Sequence, residues 1–219
     1  INLTLSEIFD LAVAPYKLLL EDEFVLFSPE CFVRISDDKI FTYPMKGTIN
    51  AHSEDAENQL LNNEKEAWEH NTIVDLMRND LSMVATDVRV EKFRFVQKIR
   101  THKGEILQTS SEISGKLPDN WQNNLGEILL KLLPAGSVSG APKQRTVEII
   151  RNTEAMTRGY YCGVFGIYDI GWLDSAVMIR YIEKKDGKMF FRSGGGITAQ
   201  SNADEEYNEL LNKIYVPTL

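Results

Sequence analysis

Two pairs of glutamates have a spacing that could hold a divalent cation. Glu66 and Glu69 are three residues apart in a stretch with helical periodicity, and Glu206 and Glu209 repeat that spacing in another. Side chains three apart on a helix share a face, so each helix would present two carboxylates together. Mg²⁺ prefers oxygen ligands, and carboxylates from two helices can converge on it. The plainer interpretation is that both pairs line solvated helix faces.

A lysine and a glutamate could form an acid–nucleophile pair. Lys46 follows an apolar strand in the segment Tyr43–Thr48, and Glu30 ends the strand that precedes it. A desolvated lysine near a cation loses its proton and becomes a nucleophile or base. A carboxylic acid beside it can protonate a leaving group. A hairpin could bring the two side chains together, although a lysine at such a position is usually a surface residue.

Two glycine-containing segments could present backbone N–H groups to an anion. Gly194, Gly195 and Gly196 follow a predicted strand and precede a predicted helix. Three glycines allow close approach of the backbone to a ligand, but the pattern is not that of a nucleotide-binding loop, and a tight turn is the alternative. The segment 134–143, PAGSVSGAPK, leads into Pro142, a natural first residue of a helix whose N–H groups could meet a carboxylate.

The composition excludes several classes of protein. The chain has 219 residues, with 24 Lys and Arg against 32 Asp and Glu, a net charge of −8. This acidic balance argues against nucleic-acid binding, and no apolar run reaches the roughly 18 residues of a membrane span. Cys31 and Cys162 are too few for a disulfide framework, which indicates free thiols in a reducing compartment. We expect a cytoplasmic globular protein of one large domain or two small ones.

Strand patterns outnumber helical patterns and occur as adjacent pairs, which predicts an α+β fold with antiparallel sheets. The predicted strands cover 24–27, 31–35, 39–43, 93–101, 104–113, 162–170, 175–183 and 188–193. The predicted helices cover 54–80 with a break near Asn62–Asn63, and about 120–132, 142–155 and 203–214.

The motifs, taken in order, resemble those of the chorismate-utilising enzymes. They are SPE, PMKGT, EKEAWEHNTIVDLMRNDL, LPAGSVSGAPK, RGYYCGVFG, MIR, GGGIT and EEYNELLNK, and they run from Phe27 to Lys213. That family includes the anthranilate, isochorismate and salicylate synthases and component I of the aminodeoxychorismate synthases. The resemblance implies a two-layer antiparallel β-sandwich flanked by helices.

Lys46 resembles the lysine of the aminodeoxychorismate synthase branch, in which PIKGT replaces the PIAGT of anthranilate synthases. The resemblance implies that Lys46 attacks the chorismate ring and displaces its hydroxyl group, with Glu30 as the general acid. Ammonia from a glutamine amidotransferase partner would then expel the lysine and leave 4-amino-4-deoxychorismate, the para-aminobenzoate precursor in folate biosynthesis. A covalent lysine divides one difficult substitution into two easier ones.

The resemblance also implies the remaining site residues. It implies that the four glutamates bind Mg²⁺, which in turn holds the ring carboxylate of chorismate. It also implies that Arg180 and Tyr161 bind the enolpyruvyl carboxylate. The other implied substrate contacts are Ser137, the backbone of Gly194, Gly195 and Gly196, and Lys213, which could also balance the acidic cluster.

Two features bear on alternative functions. Gln108 stands where anthranilate synthases have a histidine, which argues against an aromatising, pyruvate-eliminating reaction. The alternatives are an anthranilate or isochorismate synthase-type enzyme, which Lys46 opposes, and an inactive fragment that acts only in binding or assembly. Family subunits carry further strands upstream, so we expect residues 1–219 to be the C-terminal chorismate-binding catalytic portion of a longer subunit, without the N-terminal strands.

Overall fold

A computed structural model describes residues 3–101, 104–199 and 201–218. The helices are α1 (Leu5–Leu11), α2 (Ala56–Asn62), α3 (Glu64–Ser82), α4 (Leu125–Leu132), α5 (Gly136–Ser139), α6 (Lys143–Thr153) and α7 (Ala203–Asn212). The strands are β1 (Tyr16–Leu20), β2 (Phe24–Ser28), β3 (Cys31–Ser36), β4 (Lys39–Thr42), β5 (Met45–Asn50), β6 (Thr86–Thr101), β7 (Gly104–Lys116), β8 (Val164–Asp169), β9 (Trp172–Val177), β10 (Tyr181–Lys185) and β11 (Lys188–Arg192). Over these ranges no helix combines the length and apolar character that a membrane crossing needs.

The strands form two sheets, and the chain divides into two compact units. One sheet has the order β1-β2-β10-β11, and the other has the order β5-β7-β4-β3-β9-β8, with β6 paired to β7. The first unit comprises Ile1–Glu30, Arg158–Phe165 and Ala176–Leu219, and the second comprises Cys31–Thr157 and Gly166–Ser175. Antiparallel pairing of β1 with β2, β10 with β11 and β6 with β7, together with the helices, confirms the α+β class.

The first unit is built around β2, whose five residues are all buried. Val25 and Phe27 on one face pack with Ile8 of α1. Phe24 and Leu26 on the other face pack with Met178 and Tyr181, which are 4% and 2% exposed. A strand covered on both faces has a continuous apolar sequence rather than an alternating one, which is why the run FVLF identifies it.

The second unit is organised by α3, which packs against β5, β6 and β7. The buried residues Val74, Met77 and Leu81 recur at helical spacing along α3 and face the sheet. Asn63 caps the helix, because its side chain accepts a hydrogen bond from the Glu66 amide at 3.0 Å. Asparagine is a preferred N-cap residue, so the predicted break near Asn62–Asn63 is confirmed with its physical cause.

Three expectations about the strands need correction. The prediction of one strand over 175–183 is wrong: β9 ends at Val177 and β10 begins at Tyr181, since the two belong to different sheets. Lys46 follows β4 as predicted, but it lies within a further strand, β5, that the sequence patterns do not indicate. The suggested hairpin between Glu30 and Lys46 does not form in the described ranges, because β2 pairs with β1 and β10 whereas β5 pairs with β7.

At Gly166 the paired strands β8 and β9 of the second unit leave no room for a side chain. A Cβ atom added there would lie 2.6 Å from the Asp174 carbonyl oxygen and 2.7 Å from the Ser175 Cβ. We expect Gly166→Ala to lower the free energy of unfolding by about 1–3 kcal/mol, the usual cost of overpacking.

The matched control is Gly126→Ala on the exposed side of α4, where an added Cβ meets nothing within 4 Å. That change should raise the free energy of unfolding by up to about 1 kcal/mol, because alanine favours helix more than glycine does. Urea unfolding of both variants measures the difference, and equal shifts would contradict the assigned packing.

Candidate active site

Lys46 forms an ion pair with a predicted metal ligand. Its Nζ lies 3.0 Å from Oε2 of Glu69, in the first half of α3. The Lys46 side chain is 41% exposed and that of Glu69 is 20% exposed. An ion pair this accessible contributes at most about 1 kcal/mol to stability, so its main effect is to orient the amine.

Glu66 approaches the same strand as Glu69. Gly47, the residue after Lys46, has a φ of +80°, and a Cβ added there would lie 3.2 Å from Oε2 of Glu66. The two carboxylates of α3 therefore both face β5, one beside the Lys46 amine and one beside the adjoining backbone. This arrangement follows from the three-residue spacing on a helix that packs on the strand.

A buried polar network lies next to this pair. His70 is 0% exposed, and its Nε2 lies 2.7 Å from Oγ of Ser111 on β7. Ser111 Oγ also accepts a hydrogen bond from the Arg94 amide at 2.9 Å. Burial, together with the positive charge of Arg94, lowers the pKa of His70 from 6.5 to about 4. His70 is therefore neutral at physiological pH.

In the first unit, Tyr161 and Lys213 both contact the glycine segment. The Tyr161 Oη lies 3.0 Å from the position that a Cβ on Gly194 would take, so a larger residue there would collide with the phenol. Lys213 donates a hydrogen bond to the Gly194 carbonyl at 3.3 Å and forms an ion pair with Glu209 at 2.5 Å. Burial raises the pKa of Tyr161, so its hydroxyl remains a donor at neutral pH.

Glu206 lies against the same segment. Its Oε1 accepts a hydrogen bond from Ser201 at 2.7 Å, and its Oε2 lies 3.6 Å from the position of a Cβ on Gly195. The α7 helix that carries it is capped by Asn202, which accepts from the amides of Asp204 and Glu205. Glu206 is thus placed beside the glycine segment, and Glu209 is connected to it through Lys213.

Arg180 immediately precedes β10 and has a left-handed backbone conformation with φ of +53°. Its guanidinium lies over the ring of Tyr215, 5.6 Å from the centroid. The Nε of Arg180 is buried and has no hydrogen-bond partner among the residues that the structure describes. A guanidinium with an unused N–H donor is suited to bind a carboxylate.

Three further predicted site residues have different surroundings. Ser137 is exposed in α5, and the neighbouring Gly136 packs near Leu76 and Asp80, roughly 10–16 Å along α3 from Glu69 at 1.5 Å per residue. Gly196 is exposed, with open space around its Cα. Glu30 is the last residue of the first of the three stretches that form the first unit, and its carbonyl accepts a hydrogen bond from the Val177 amide at 3.1 Å.

The four predicted metal ligands fit Mg²⁺ in donor chemistry. Each helix offers carboxylate oxygens only, which are the ligands that Mg²⁺ selects. One glutamate of each pair also contacts a lysine, Glu69 with Lys46 and Glu209 with Lys213. Within residues 3–101, 104–199 and 201–218, no group of three or more His, Cys, Asp or Glu is placed to hold a metal ion.

Two residues near these groups carry no sequence motif. Thr109 on β7 is 1% exposed and donates its hydroxyl to the carbonyl of Lys46. Its signal is the polar run Thr109–Ser111 inside a predicted strand, since buried hydroxyls normally have a hydrogen-bond partner. Tyr215 follows α7 in an irregular segment, and no pattern in the sequence links it to Arg180.

Comparisons with known proteins cover almost the whole chain. The sequence model of the chorismate binding enzymes matches residues 8–218. A PabA-like protein of Haemophilus influenzae is 64% identical over 99% of this chain and 66% of its own length. Aminodeoxychorismate synthase component 1 of Salmonella typhimurium is 34% identical over 92% of this chain and 45% of its own. The crystal structure of anthranilate synthase component I from Streptococcus pneumoniae superimposes with a TM-score of 0.77 and 33% identity, over 91% of this chain and 44% of that one.

The chain spans about two thirds of the length of the first relative and less than half of the other two.

Proposed function

The chain belongs to the chorismate binding enzyme family, and we propose that it acts as component I of an aminodeoxychorismate synthase. In this proposal it converts chorismate and ammonia to 4-amino-4-deoxychorismate and water. The observation that carries it is the primary amine of Lys46, which lies in β5 against the Glu69 carboxylate. A lysine oriented by a carboxylate in a chorismate-binding fold is a nucleophile of the kind the reaction needs.

The reaction proceeds by two successive substitutions, with Lys46 as the nucleophile of the first and the leaving group of the second. In the first, its neutral amine forms a C–N bond to the chorismate ring, the bond to the ring hydroxyl breaks, and Glu30 supplies the proton with which that group leaves as water. The amine gives up one proton as the bond forms, which restores the acid. In the second, ammonia bonds to the ring, the bond to Lys46 breaks, and one proton passes from the incoming nitrogen to the departing one, which restores the free Lys46 amine.

The first unit supplies groups for the enolpyruvyl carboxylate of chorismate. Arg180 offers guanidinium donors, and Tyr161 offers a hydroxyl that burial keeps protonated. Gly194 lies against the Tyr161 hydroxyl, so its backbone can approach a bound carboxylate without a side chain in the way. Charge-assisted hydrogen bonds of this kind are about twice as strong as neutral ones.

Mg²⁺ is the cofactor that we propose. Glu66 and Glu69 would contribute oxygens from α3, and Glu206 and Glu209 would contribute them from α7. The bound ion supplies positive charge for the ring carboxylate of the substrate, which the acidic surface would otherwise repel. We also propose a glutamine amidotransferase partner as the ammonia source, and para-aminobenzoate and folate synthesis as the destination of the product.

A coupled assay tests this function. The protein is incubated with chorismate, an ammonium salt and Mg²⁺, and an aminodeoxychorismate lyase is then added. We expect para-aminobenzoate to form in amounts that depend on both ammonium and lyase. Formation of anthranilate without the lyase would contradict the proposal, as would the absence of any turnover in the presence of tight partner binding.

Anthranilate synthesis is the second candidate, because the fold is similar to that of anthranilate synthase component I. Gln108 argues against it. In the register of β5 with β7, Gln108 lies opposite Thr48, next to the Lys46 segment. A carboxamide does not exchange protons near neutral pH, so this position offers no acid–base group for pyruvate elimination.

A further inference from the structure

We propose that Thr109 is a positioning residue for Lys46, because its hydroxyl fixes a β-bulge that directs the amine toward Glu69. The chemical meaning of this role rests on the proposed function, in which that amine is the nucleophile. The geometry on which it stands is independent of any substrate.

The bulge is visible in the pairing of β5 with β7. Lys46 lies opposite Thr109 and Thr48 lies opposite Gln108, so Gly47 is an additional residue with no partner of its own. Gly47 has a φ of +80°, a conformation that glycine adopts at little cost. A bulge bends its strand and redirects the neighbouring side chain, which here is Lys46.

Thr109 holds this irregularity from the opposite strand. Its Oγ1 donates a hydrogen bond to the Lys46 carbonyl, and the side chain is 1% exposed. This carbonyl belongs to Lys46, the residue whose side chain must be oriented. A buried donor so placed restrains the peptide plane between Lys46 and Gly47, and with it the direction in which the Lys46 Cβ points.

The packing around Gly47 leaves the bulge little room to move. The position of a Cβ on Gly47 is 3.1 Å from Leu60 Cδ1, 3.2 Å from Glu66 Oε2 and 3.4 Å from Thr109 Oγ1. The bulge is therefore enclosed by α2, by α3 and by the threonine itself. Loss of the Thr109 hydroxyl would remove the hydrogen bond that holds the Lys46 carbonyl.

Thr109→Val removes the hydroxyl and keeps the shape of the side chain. We expect kcat for amination to fall about 10- to 100-fold, the range that small misplacements of a reacting group produce. The KM for chorismate should change less than about twofold, because the carboxylate-binding groups lie in other segments. Thr109→Ser restores the donor and should return kcat to within about threefold of the wild type.

Thr42→Val is the matched control. Thr42 is 3% exposed and donates to the Phe32 carbonyl at 3.1 Å, so the change removes an equivalent buried hydrogen bond from the same unit. It should lower stability as Thr109→Val does and leave kcat unchanged. A merely structural role for Thr109 predicts that the two variants behave alike.

A second readout does not depend on the reaction. Acetylation of Lys46 by an amine-reactive reagent is followed by peptide mass spectrometry, relative to the exposed Lys65 of the same sample. Because Glu69 covers one side of the Lys46 amine, we expect Thr109→Val to raise its labelling rate severalfold, and Thr42→Val and Thr109→Ser to leave it unchanged. Thr109→Cys keeps the volume of the side chain and donates only a weak hydrogen bond, so its labelling rate should lie between those of Thr109→Ser and Thr109→Val. It replaces the valine variant if that variant does not fold.

The outcomes separate the two proposals. The positioning role is overturned if Thr109→Val has the same Lys46 labelling rate and the same kcat as the wild type. It is also overturned if Thr109→Ser restores neither quantity. If the wild-type protein shows no amination at all, the proposed function fails, and the labelling rates alone decide whether Thr109 directs the Lys46 amine.

Discussion

Replacement of Lys46 by arginine is expected to abolish the covalent adduct with chorismate and to lower amination at least about 10³-fold, as loss of a catalytic nucleophile does. Arginine keeps the positive charge and can still pair with Glu69, which lies 3.0 Å from the lysine amine. Its guanidinium stays protonated, however, and cannot attack carbon. The change therefore removes nucleophilicity and leaves the electrostatics of the site in place.

The adduct is measured by intact-protein mass spectrometry after incubation with chorismate and Mg²⁺ in the absence of ammonia. Wild-type protein should gain the mass of chorismate less one water, and Lys46→Arg should gain nothing. Lys98→Arg is the control, since Lys98 also pairs with a glutamate, Glu105 at 2.9 Å, within the same unit. Undiminished adduct in Lys46→Arg, or amination at the wild-type rate in Lys46→Ala, would exclude this lysine as the nucleophile.

Acidification from pH 7.5 to pH 5 is expected to destabilise the wild-type protein by about 2 kcal/mol more than the His70→Gln variant. The pKa of buried His70 is lowered from 6.5 to about 4. Between these two pH values the imidazole is therefore protonated in the unfolded chain and neutral in the folded protein. This contribution to stability is complete above pH 6.5 and is lost as the pH falls toward 4. The Nδ1 of His70 has no partner within the described residues, so the protonated ring would bring an unpaired N–H beside Arg94.

Urea unfolding at several pH values in a buffer with chelator measures this difference. Glutamine does not titrate and can keep a hydrogen bond to Ser111, so the variant isolates the imidazole from the carboxylates that titrate in the same range. Parallel stability curves for the two proteins between pH 7.5 and 5 would show that His70 is accessible to protons in the folded state.

Local signals in the sequence predict much of the fold. The run FVLF identifies a strand buried on both faces, and Asn63 marks the start of α3 because its side chain caps the helix. The apolar run over 175–183 predicts one strand, but its two parts form β9 and β10 in different sheets. The local pattern of apolar residues does not indicate which sheet a segment joins. The turn at Arg180, with its φ of +53°, has no signal, since nothing in the local pattern marks a non-glycine residue for that conformation.

The candidate site is predictable in composition and less so in its contacts. The motifs name Lys46, but spacing suggests Glu30 as its companion, whereas in the second unit the amine meets Glu69. That pairing depends on how α3 packs across β5, a long-range property that residue spacing does not encode. Thr109 and Tyr215 are missed for the same reason, since each acts on a residue far away in the sequence.

The first unit is assembled from three separate stretches of chain, and this bears on how the protein is made. Leu26 of β2 pairs with Tyr181 of β10, a partner that leaves the ribosome about 150 residues later. At synthesis rates of roughly 5–20 residues per second, β2 waits about 8–30 s for its neighbour. During that interval the edge of β2 that pairs with β10 has no partner strand, while most of the second unit is already available to fold. A strand that is fully buried in the finished unit thus keeps an edge open to a chaperone while the second unit is synthesised.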